Sequence, residues 1–283
     1  MSNAGDGAAR EMSASGRDAA LTAEQEAHFT EHGYVIATDV YDRDAAQALK
    51  AHAIELCLDP AIPAGHVKMN ALVASGQVER TGAAALHSLF RPHVVSDLYA
   101  EVCRDPALTG RLANILGPDV ITFNGLVIFK SREVGLPFPY HQDLWYFRRG
   151  NDMQRSCGIW MALDDADEEN GCLWVVPGSH RLPIQEHVLP EADHLQQEFR
   201  EVPGAAEMDE IPVPLRSGSC LFFDGRLLHR SSHNHSARDR ACYVIHNTSA
   251  DTVFRMGSEF EMRTVMRTRG DREPILCPPA PQA

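Results

Sequence analysis

Hydrophobic residues follow a helical spacing near the start of the chain. The stretch TAEQ at 22–25 has the pattern of a capping box, in which Thr22 and Gln25 satisfy free backbone groups of the first turn. We expect this helix to end at Gly33, because glycine readily takes the left-handed conformation that closes many helices. A short strand is predicted next, at 34–37.

A second helix is predicted from about Asp42, since Ala45, Leu49, His52, Ala53 and Leu56 are spaced along one helical face. The span 60–118 is predicted to contain mostly helices and loops. Within it, PALTGRLANILGPD predicts a helix that ends at Gly117, before a proline that cannot continue it.

The pattern changes after Asp119, where short runs of β-branched and aromatic residues alternate with turn-forming residues. At least five strands are predicted, without amphipathic helices regularly between them. This succession favours a sandwich or barrel over alternating βα units. The predicted fold is therefore mainly β with flanking helices. The runs are VITFNGLVIF, SCGIWMAL, GCLWVV, SGSCLFFDG and RACYVIHN.

The 283 residues are predicted to form one domain at 21–264, with a helical part at about 21–118 and a β-core at about 119–250. The small polar residues of 1–20 are predicted to be disordered. A C-terminal tail is predicted at 265–283, which ends in a proline-rich sequence that cannot pack inside a strand.

Composition excludes several classes of partner. The formal net charge of −13 argues against nucleic acid, because no excess of Lys and Arg is available to neutralise phosphates. No apolar run approaches the length of a bilayer span, and the N-terminus has no apolar signal core. The seven cysteines are scattered without a CxxC pair, which predicts reduced, mostly buried thiols and a cytoplasmic location.

The sequence HQDLWYF at 141–147 suggests a metal site. Alternate residues of a strand point to the same side, so His141 and Asp143 would project together. Two ligands are too few for a catalytic metal, and two histidines with one carboxylate form the ligand set of non-haem Fe(II) oxygenases. A second histidine must therefore come from a distant strand. The downstream histidines are His180, His187, His194, His229, His233, His235 and His246.

His229 is the best candidate for the third ligand. Arg240 follows it by eleven residues across the turn RSSHNHSARD, and a hairpin would bring the two side by side. An arginine near the metal suits 2-oxoglutarate, whose far carboxylate is best held by a forked guanidinium. Other histidine–arginine pairs with this spacing precede the HxD sequence and lie in the predicted helical half. His233 and His235, within the turn, remain alternative ligands.

Three blocks closely resemble the phytanoyl-CoA dioxygenase family of Fe(II)/2-oxoglutarate-dependent oxygenases. They are HQDLWYF, SCGIWMALDDADEENGCLWVVPGSHR and SGSCLFFDGRLLHRSSHNHSARDRACYVIHN. The resemblance extends from about residue 22 to 260 and is dense from Phe123 onward. It implies a double-stranded β-helix, a jelly-roll or cupin-like barrel, with Fe(II) and 2-oxoglutarate as cofactor and cosubstrate.

The resemblance also implies roles for individual residues. His141, Asp143 and His229 would be the iron ligands. Arg240 would bind the C5 carboxylate of 2-oxoglutarate, assisted by Ser231, and Trp160 would line the cosubstrate pocket. The family's lysine contact to 2-oxoglutarate has no clear counterpart near His87.

The implied activity is hydroxylation of a small molecule, with O₂ and 2-oxoglutarate converted to CO₂ and succinate. A halogenase is disfavoured because Asp143 stands where a halogenase needs Gly or Ala. A non-catalytic barrel protein and an acyl-CoA 2-hydroxylase remain alternatives. We expect 60–118 and the segment 148–155 to cover the substrate site. Trp145, Tyr146 and Phe147 either contact substrate or belong to the core, and an anionic substrate is expected beside Arg148, Arg149 and Arg155.

Overall fold

The structure is a computed structural model that describes residues 19–148, 151–190, 199–255 and 264–278. Residues 1–18 of the segment 1–20 that is predicted to be disordered, and residues 279–283 of the proline-rich end, lie outside the described part. The helices of the described part are α1 Ala23–His32, α2 Arg43–Leu58, α3 Ala71–Ala74, α4 Pro92–Val95, α5 Asp97–Arg104, α6 Pro106–Leu116 and α7 Asp143–Phe147.

The strands form two principal antiparallel sheets. They are β1 Tyr34–Ala37, β2 Val67–Met69, β3 Leu86–Phe90, β4 Val120–Lys130, β5 Phe138–His141, β6 Ser156–Ala162, β7 Leu173–Val175, β8 Ile211–Val213, β9 Cys220–Asp224, β10 His229–Ser231, β11 Arg240–Ser249, β12 Val253–Arg255, β13 Met266–Arg269 and β14 Ile275–Cys277. The large sheet has the order β1-β9-β6-β11-β4-β3-β2, with β13 also paired to β4. The small sheet has the order β5-β10-β7-β8, and β12 pairs with β14 separately.

The predicted helix boundaries are confirmed where capping residues mark them. The Thr22 hydroxyl accepts from the Gln25 backbone N–H, and the Gln25 side chain accepts from the Thr22 N–H. Gly33 ends α1 at a φ of 82°, a conformation that residues with a Cβ rarely adopt. The later helices also follow prediction, since α2 begins after Asp42 and α6 ends before Gly117.

The large sheet is covered on both sides. Along β11, Ala241, Tyr243 and Ile245 pack in a cluster with residues of α2, α5 and α6. Cys242 and Val244 alternate with them and pack instead against residues of the small sheet. One side of β11 therefore faces the helices, and its other side faces the space between the two sheets.

The span 60–118 differs from the mostly helical prediction. It contains β2 and β3, and β3 pairs with β4 in the large sheet. Its first four residues, Leu86 to Leu89, are all buried. Because both sides of the strand are covered, hydrophobic and polar residues do not alternate along it, and the usual signal of a strand is missing.

The C-terminal segment also differs from the predicted tail at 265–283. Strand β13 pairs with the first half of β4, and β14 pairs with β12. Polar residues dominate β13, with Arg267 exposed, so the sequence contains no hydrophobic run that would indicate a strand.

The cysteines agree with the predicted reduced thiols. All seven are free, and the buried ones are Cys103, Cys157, Cys172, Cys220 and Cys242. Within the described ranges, none of the helices combines the length and apolarity that a membrane crossing requires.

Candidate metal and cosubstrate site

His141 and His229 lie side by side on neighbouring strands of the small sheet. His141 ends β5, His229 begins β10, and the two are register partners. Their ring centroids are 4.1 Å apart. Antiparallel pairing of β5 with β10 thus brings together two histidines that are far apart in sequence.

Hydrogen bonds to the backbone orient both rings. His141 Nδ1 lies 2.7 Å from the Pro139 carbonyl, and His229 Nδ1 lies 2.9 Å from the Leu227 carbonyl. Because a carbonyl only accepts, each Nδ1 carries the proton and leaves the Nε2 lone pair available. Burial, together with the neighbouring His229, lowers the pKa of His141 to about 3, which keeps this imidazole neutral.

Asp143 completes the group, but not from a strand. Strand β5 ends at His141, and Asp143 is the first residue of the short helix α7. The prediction that both project from one strand was therefore wrong. Gln142, fully buried between them, donates its side-chain N–H to the Arg226 carbonyl and accepts from the Gln185 backbone N–H. These bonds hold the chain where its direction changes.

The three side chains have the chemistry of an iron site. His141, Asp143 and His229 each offer a ligand atom, and these atoms lie within 4.8 Å of one another. Asp143 Oδ1 lies 3.6 Å from His141 Nε2 and 3.8 Å from His229 Nε2. Burial opposes the charge of Asp143, but His246 and His229 hold its pKa well below its usual range. An ionised carboxylate with two imidazole nitrogens beside it fits Fe(II), and the group is open on the cavity side.

The alternative ligands are not part of this group. The His233 and His235 rings lie 5.1 Å from each other in the turn after β10, and His235 is exposed.

His246 is a partner of the carboxylate that sequence reasoning missed. Its Nε2 lies 3.1 Å from Asp143 Oδ2, and its Nδ1 lies 3.3 Å from Asn124 Nδ2. An amide N–H can only donate, so Nδ1 accepts and Nε2–H donates to Asp143. The alternation of β11 could have indicated this residue, because His246 lies on the same side of the strand as Arg240, six residues earlier.

Arg240 lies across the cavity from the two histidines. It begins β11 in the large sheet, whereas β10 belongs to the small sheet, so the predicted hairpin between His229 and Arg240 was wrong. Strand β10 pairs with β5 and β7, while β11 pairs with β4 and β6. The two residues approach the same cavity because the two sheets face each other.

Arg240 is buried without an ion pair among the described residues. Its Nη2 donates to the Gly171 carbonyl at 2.9 Å, and its Nη1 lies 3.1 Å from Cys242 Sγ. Its guanidinium carbon lies 5.3 Å from the centre of the Trp160 ring. Burial lowers the pKa of Arg240, although guanidinium remains charged at neutral pH.

Ser231 and Trp160 line the same cavity as Arg240, and their contact with 2-oxoglutarate stays a prediction. The Ser231 hydroxyl accepts from Lys130 Nζ at 2.9 Å. A second lysine is close to His87, where none was evident in the sequence: Lys68 on β2 is the register partner of Ser88 on β3. Burial lowers the pKa of His87 to about 3, with further contributions from Lys68, Lys130 and Arg240.

These residues open onto a cavity of about 670 Å³ between the sheets. Tyr146 and Phe147 line it, whereas Trp145 stacks on His187 with ring centroids 4.6 Å apart. Asp143 is the only acidic lining residue in the described part of the chain. The cationic lining residues are Lys68, Arg91, Arg240 and Arg255.

Arg148 and Arg155, two of the three arginines expected at the substrate, do not line this cavity. Arg155 is directed toward the Leu116 carbonyl, 3.3 Å away, and Arg148 lines a different surface depression. Arg149 lies outside the described residues. The span 60–118 does line the cavity, through β2, β3 and Arg91 just before α4, and its contact with substrate stays a prediction.

Known proteins match this chain over most of its length. The family model described as phytanoyl-CoA dioxygenase (PhyH) matches residues 29–242. An ectoine dioxygenase of Bordetella parapertussis is 27% identical over 248 residues, which cover 83% of this chain and 78% of that protein. The peroxisomal phytanoyl-CoA dioxygenase of Mus musculus is 25% identical over 238 residues, covering 82% and 69%.

Solved structures share the fold. EctD from S. alaskensis, solved with 2-oxoglutarate and 5-hydroxyectoine, has a TM-score of 0.67 at 24% identity and covers 84% of this chain and 80% of that chain. The epimerase SnoN, solved with Fe3+, alpha ketoglutarate and nogalamycin RO, has a TM-score of 0.64 at 22% identity, covering 84% and 88%. These similarities confirm the predicted fold class, here as two facing sheets with outer helices.

Proposed function

Because this chain belongs to the phytanoyl-CoA dioxygenase (PhyH) family and is a 2-oxoglutarate-dependent non-haem iron dioxygenase, we propose that it hydroxylates a small anionic molecule. The proposed iron ligands are His141, Asp143 and His229. The observation that carries this proposal is the convergence of their three ligand atoms at the cavity. When bound, iron and 2-oxoglutarate supply the O₂ activation, with release of CO₂ and succinate, that hydroxylation requires.

Arg240 is the proposed partner of the C5 carboxylate of 2-oxoglutarate. Its burial without an ion pair in the described part of the chain supports this role, because a buried charge is costly until it is paired. Ser231 contributes a hydroxyl beside it, and Trp160 covers the guanidinium. Together they bind the distal end of the cosubstrate and orient its other end toward the iron ligands.

The cavity lining supports an anionic substrate with an apolar body. Lys68, Arg91 and Arg255 line it in addition to Arg240. Apolar area comes from Phe123, whose ring centroid lies 5.0 Å from that of Phe147 and 5.8 Å from that of Phe254. A positive lining would attract an anion and orient it with the apolar part near the metal.

The test is succinate production by the Fe(II)-loaded protein with a panel of carboxylates, sulfates, phosphates, acyl-CoA thioesters and matched neutral analogues. Anionic members should stimulate turnover more than neutral ones. Asp143→Ala should abolish stimulated turnover because the site loses its anionic ligand. Near-normal turnover in that variant, with its iron content confirmed, would contradict the assignment of the ligands.

A second set of variants tests the charge preference. Lys68→Met with Arg255→Gln should raise the KM for the anionic substrate, while substrate-independent decarboxylation of 2-oxoglutarate persists. Arg148→Gln serves as the matched control, because Arg148 does not line the cavity. An unchanged KM in the double variant would exclude these cations from substrate binding.

We further propose a reducing compartment such as the cytoplasm. The seven free cysteines support it, since disulfides form mainly in oxidising compartments.

A further inference from the structure

Lys130 is a buried lysine on the cavity side of the large sheet. It ends β4 and is only 1% exposed. The chain has three lysines, and Lys50 forms an ion pair with Asp164 at 2.7 Å. Within the described ranges, Lys130 has no such carboxylate partner, and its charged neighbours include the cations Arg240 and Arg230. Such burial of an ammonium group is costly unless an anion compensates it.

The ammonium group of Lys130 is directed at the residues beside Arg240. Its Nζ donates to Ser231 Oγ at 2.9 Å and to the Ser232 carbonyl. Gly171 lies against the same side chain, since a Cβ at that position would be 3.2 Å from Lys130 Cδ. Burial, with the charge of Arg240, holds the pKa of Lys130 well below its usual range.

These contacts determine how Ser231 can bind a ligand. A hydroxyl has one donor and two acceptor positions, and Lys130 occupies an acceptor position. The Ser231 O–H is then available to donate into the cavity that it lines. A donating hydroxyl beside a guanidinium suits a carboxylate, which only accepts.

We propose that Lys130 is a positioning residue for 2-oxoglutarate, which orients the Ser231 hydroxyl toward the C5 carboxylate and adds a second positive charge beside Arg240. This inference rests on the proposed binding of that carboxylate by Arg240. The buried charges of Lys130 and Arg240 repel each other in the free protein, and a bound carboxylate compensates both charges. Lys130 therefore favours the bound state over the free state.

The proposal predicts opposite effects of Lys130→Met on stability and on binding. Met is apolar and unbranched, so the free protein should unfold at the same temperature or a higher one, because an ammonium group buried without a carboxylate partner is costly. Affinity for 2-oxoglutarate, measured by calorimetry on anaerobic Fe(II)-loaded protein, should fall roughly tenfold or more. The KM for 2-oxoglutarate should rise while kcat changes little.

Lys50→Met is the matched control. It removes the lysine that pairs with Asp164, so it should lower the unfolding temperature and leave affinity for 2-oxoglutarate unchanged. Lys130→Gln retains an N–H donor for Ser231 without the charge, and its affinity should lie between those of the wild type and the Met variant. Equal affinities of the Gln and Met variants would overturn the orienting role.

A double-mutant cycle tests whether Lys130 acts through Ser231. The effects of Lys130→Met and Ser231→Ala on affinity should be less than additive, because both remove the oriented hydroxyl. Fully additive effects would overturn the coupling. If the wild type and Lys130→Met bind 2-oxoglutarate equally well, the role of Lys130 is wrong but the proposed function stands. If the wild type does not bind 2-oxoglutarate, the proposed function itself fails.

Discussion

At the scale of single residues, the two oxygens of Asp143 have different partners. Oδ1 faces the Nε2 atoms of His141 and His229, and Oδ2 accepts a hydrogen bond from His246. The carboxylate can thus offer Oδ1 to a metal while the hydrogen bond to Oδ2 keeps the side chain in place. Such partners of a ligand commonly change metal affinity by about 10–100-fold.

His246→Phe should weaken Fe(II) binding by about that factor, because the ring remains but its N–H donor is lost. His246→Gln should retain more affinity, since an amide can still donate to Oδ2. Metal titration and the visible charge-transfer absorption of the Fe(II)–2-oxoglutarate complex would measure the effect. His235→Phe, in the exposed turn, is the control and should change neither. Equal metal affinity of the wild type and His246→Phe would show that the hydrogen bond does not support the ligand.

Arg240→Ala should raise the KM for 2-oxoglutarate steeply and leave iron binding largely intact. Removing one partner of a buried charge pair costs about 3–5 kcal/mol, which is hundreds-fold or more in affinity. Arg240→Lys should recover only part, because a point charge replaces a planar fork. Calorimetric titration of each variant with 2-oxoglutarate would measure this, and unchanged affinity in Arg240→Ala would exclude Arg240 as the carboxylate partner.

At the scale of elements, the sequence predicted which side chains come together better than it predicted the helix or strand to which each one belongs. His141, Asp143 and His229 meet as predicted, although Asp143 belongs to α7 instead of a strand. The sequence could not indicate this, because the chain changes direction through hydrogen bonds of Gln142 to residues more than 40 positions away. Lys130 and His246 were missed for a similar reason, since their partners Ser231 and Asp143 come from other strands and helices.

The turn before β7 supports Arg240 through its backbone. Gly171 has a φ of 87°, and its carbonyl accepts from Arg240 Nη2. A Cβ there would lie 2.6 Å from the Ser232 carbonyl oxygen, so any larger residue must displace backbone. Gly171→Ala should destabilise the protein by about 1–3 kcal/mol and weaken 2-oxoglutarate binding together. Chemical denaturation and titration would measure both. Gly204→Ala is the control, with a similar φ of 75° but open space around it, and it should leave 2-oxoglutarate affinity unchanged.

At the scale of the whole molecule, the strands after Asp119 were predictable because β-branched and aromatic residues concentrate there. How they are arranged was less predictable. The strands that carry His229 and Arg240 belong to different sheets and do not pair with each other. The two residues reach one cavity because the sheets pack face to face. Strand pairing over long separations depends on the whole core, so a local sequence pattern cannot specify it.

The division of the site between two sheets has a mechanical consequence. The proposed iron ligands on β5 and β10 belong to the small sheet, and Arg240 and Trp160 belong to the large one. Lys130 of the large sheet already bonds to Ser231 of the small sheet, and a cosubstrate bound at both ends would add a removable cross-link to this contact. Metal alone should then slow amide hydrogen exchange mainly in β5, β10 and α7, whereas added 2-oxoglutarate should extend protection to β6 and β11. Protection that reaches both sheets with metal alone would show that they already open as one unit. The conversion of 2-oxoglutarate to succinate and CO₂ in each turnover would remove this added cross-link and leave the direct hydrogen bond between Lys130 and Ser231 in place.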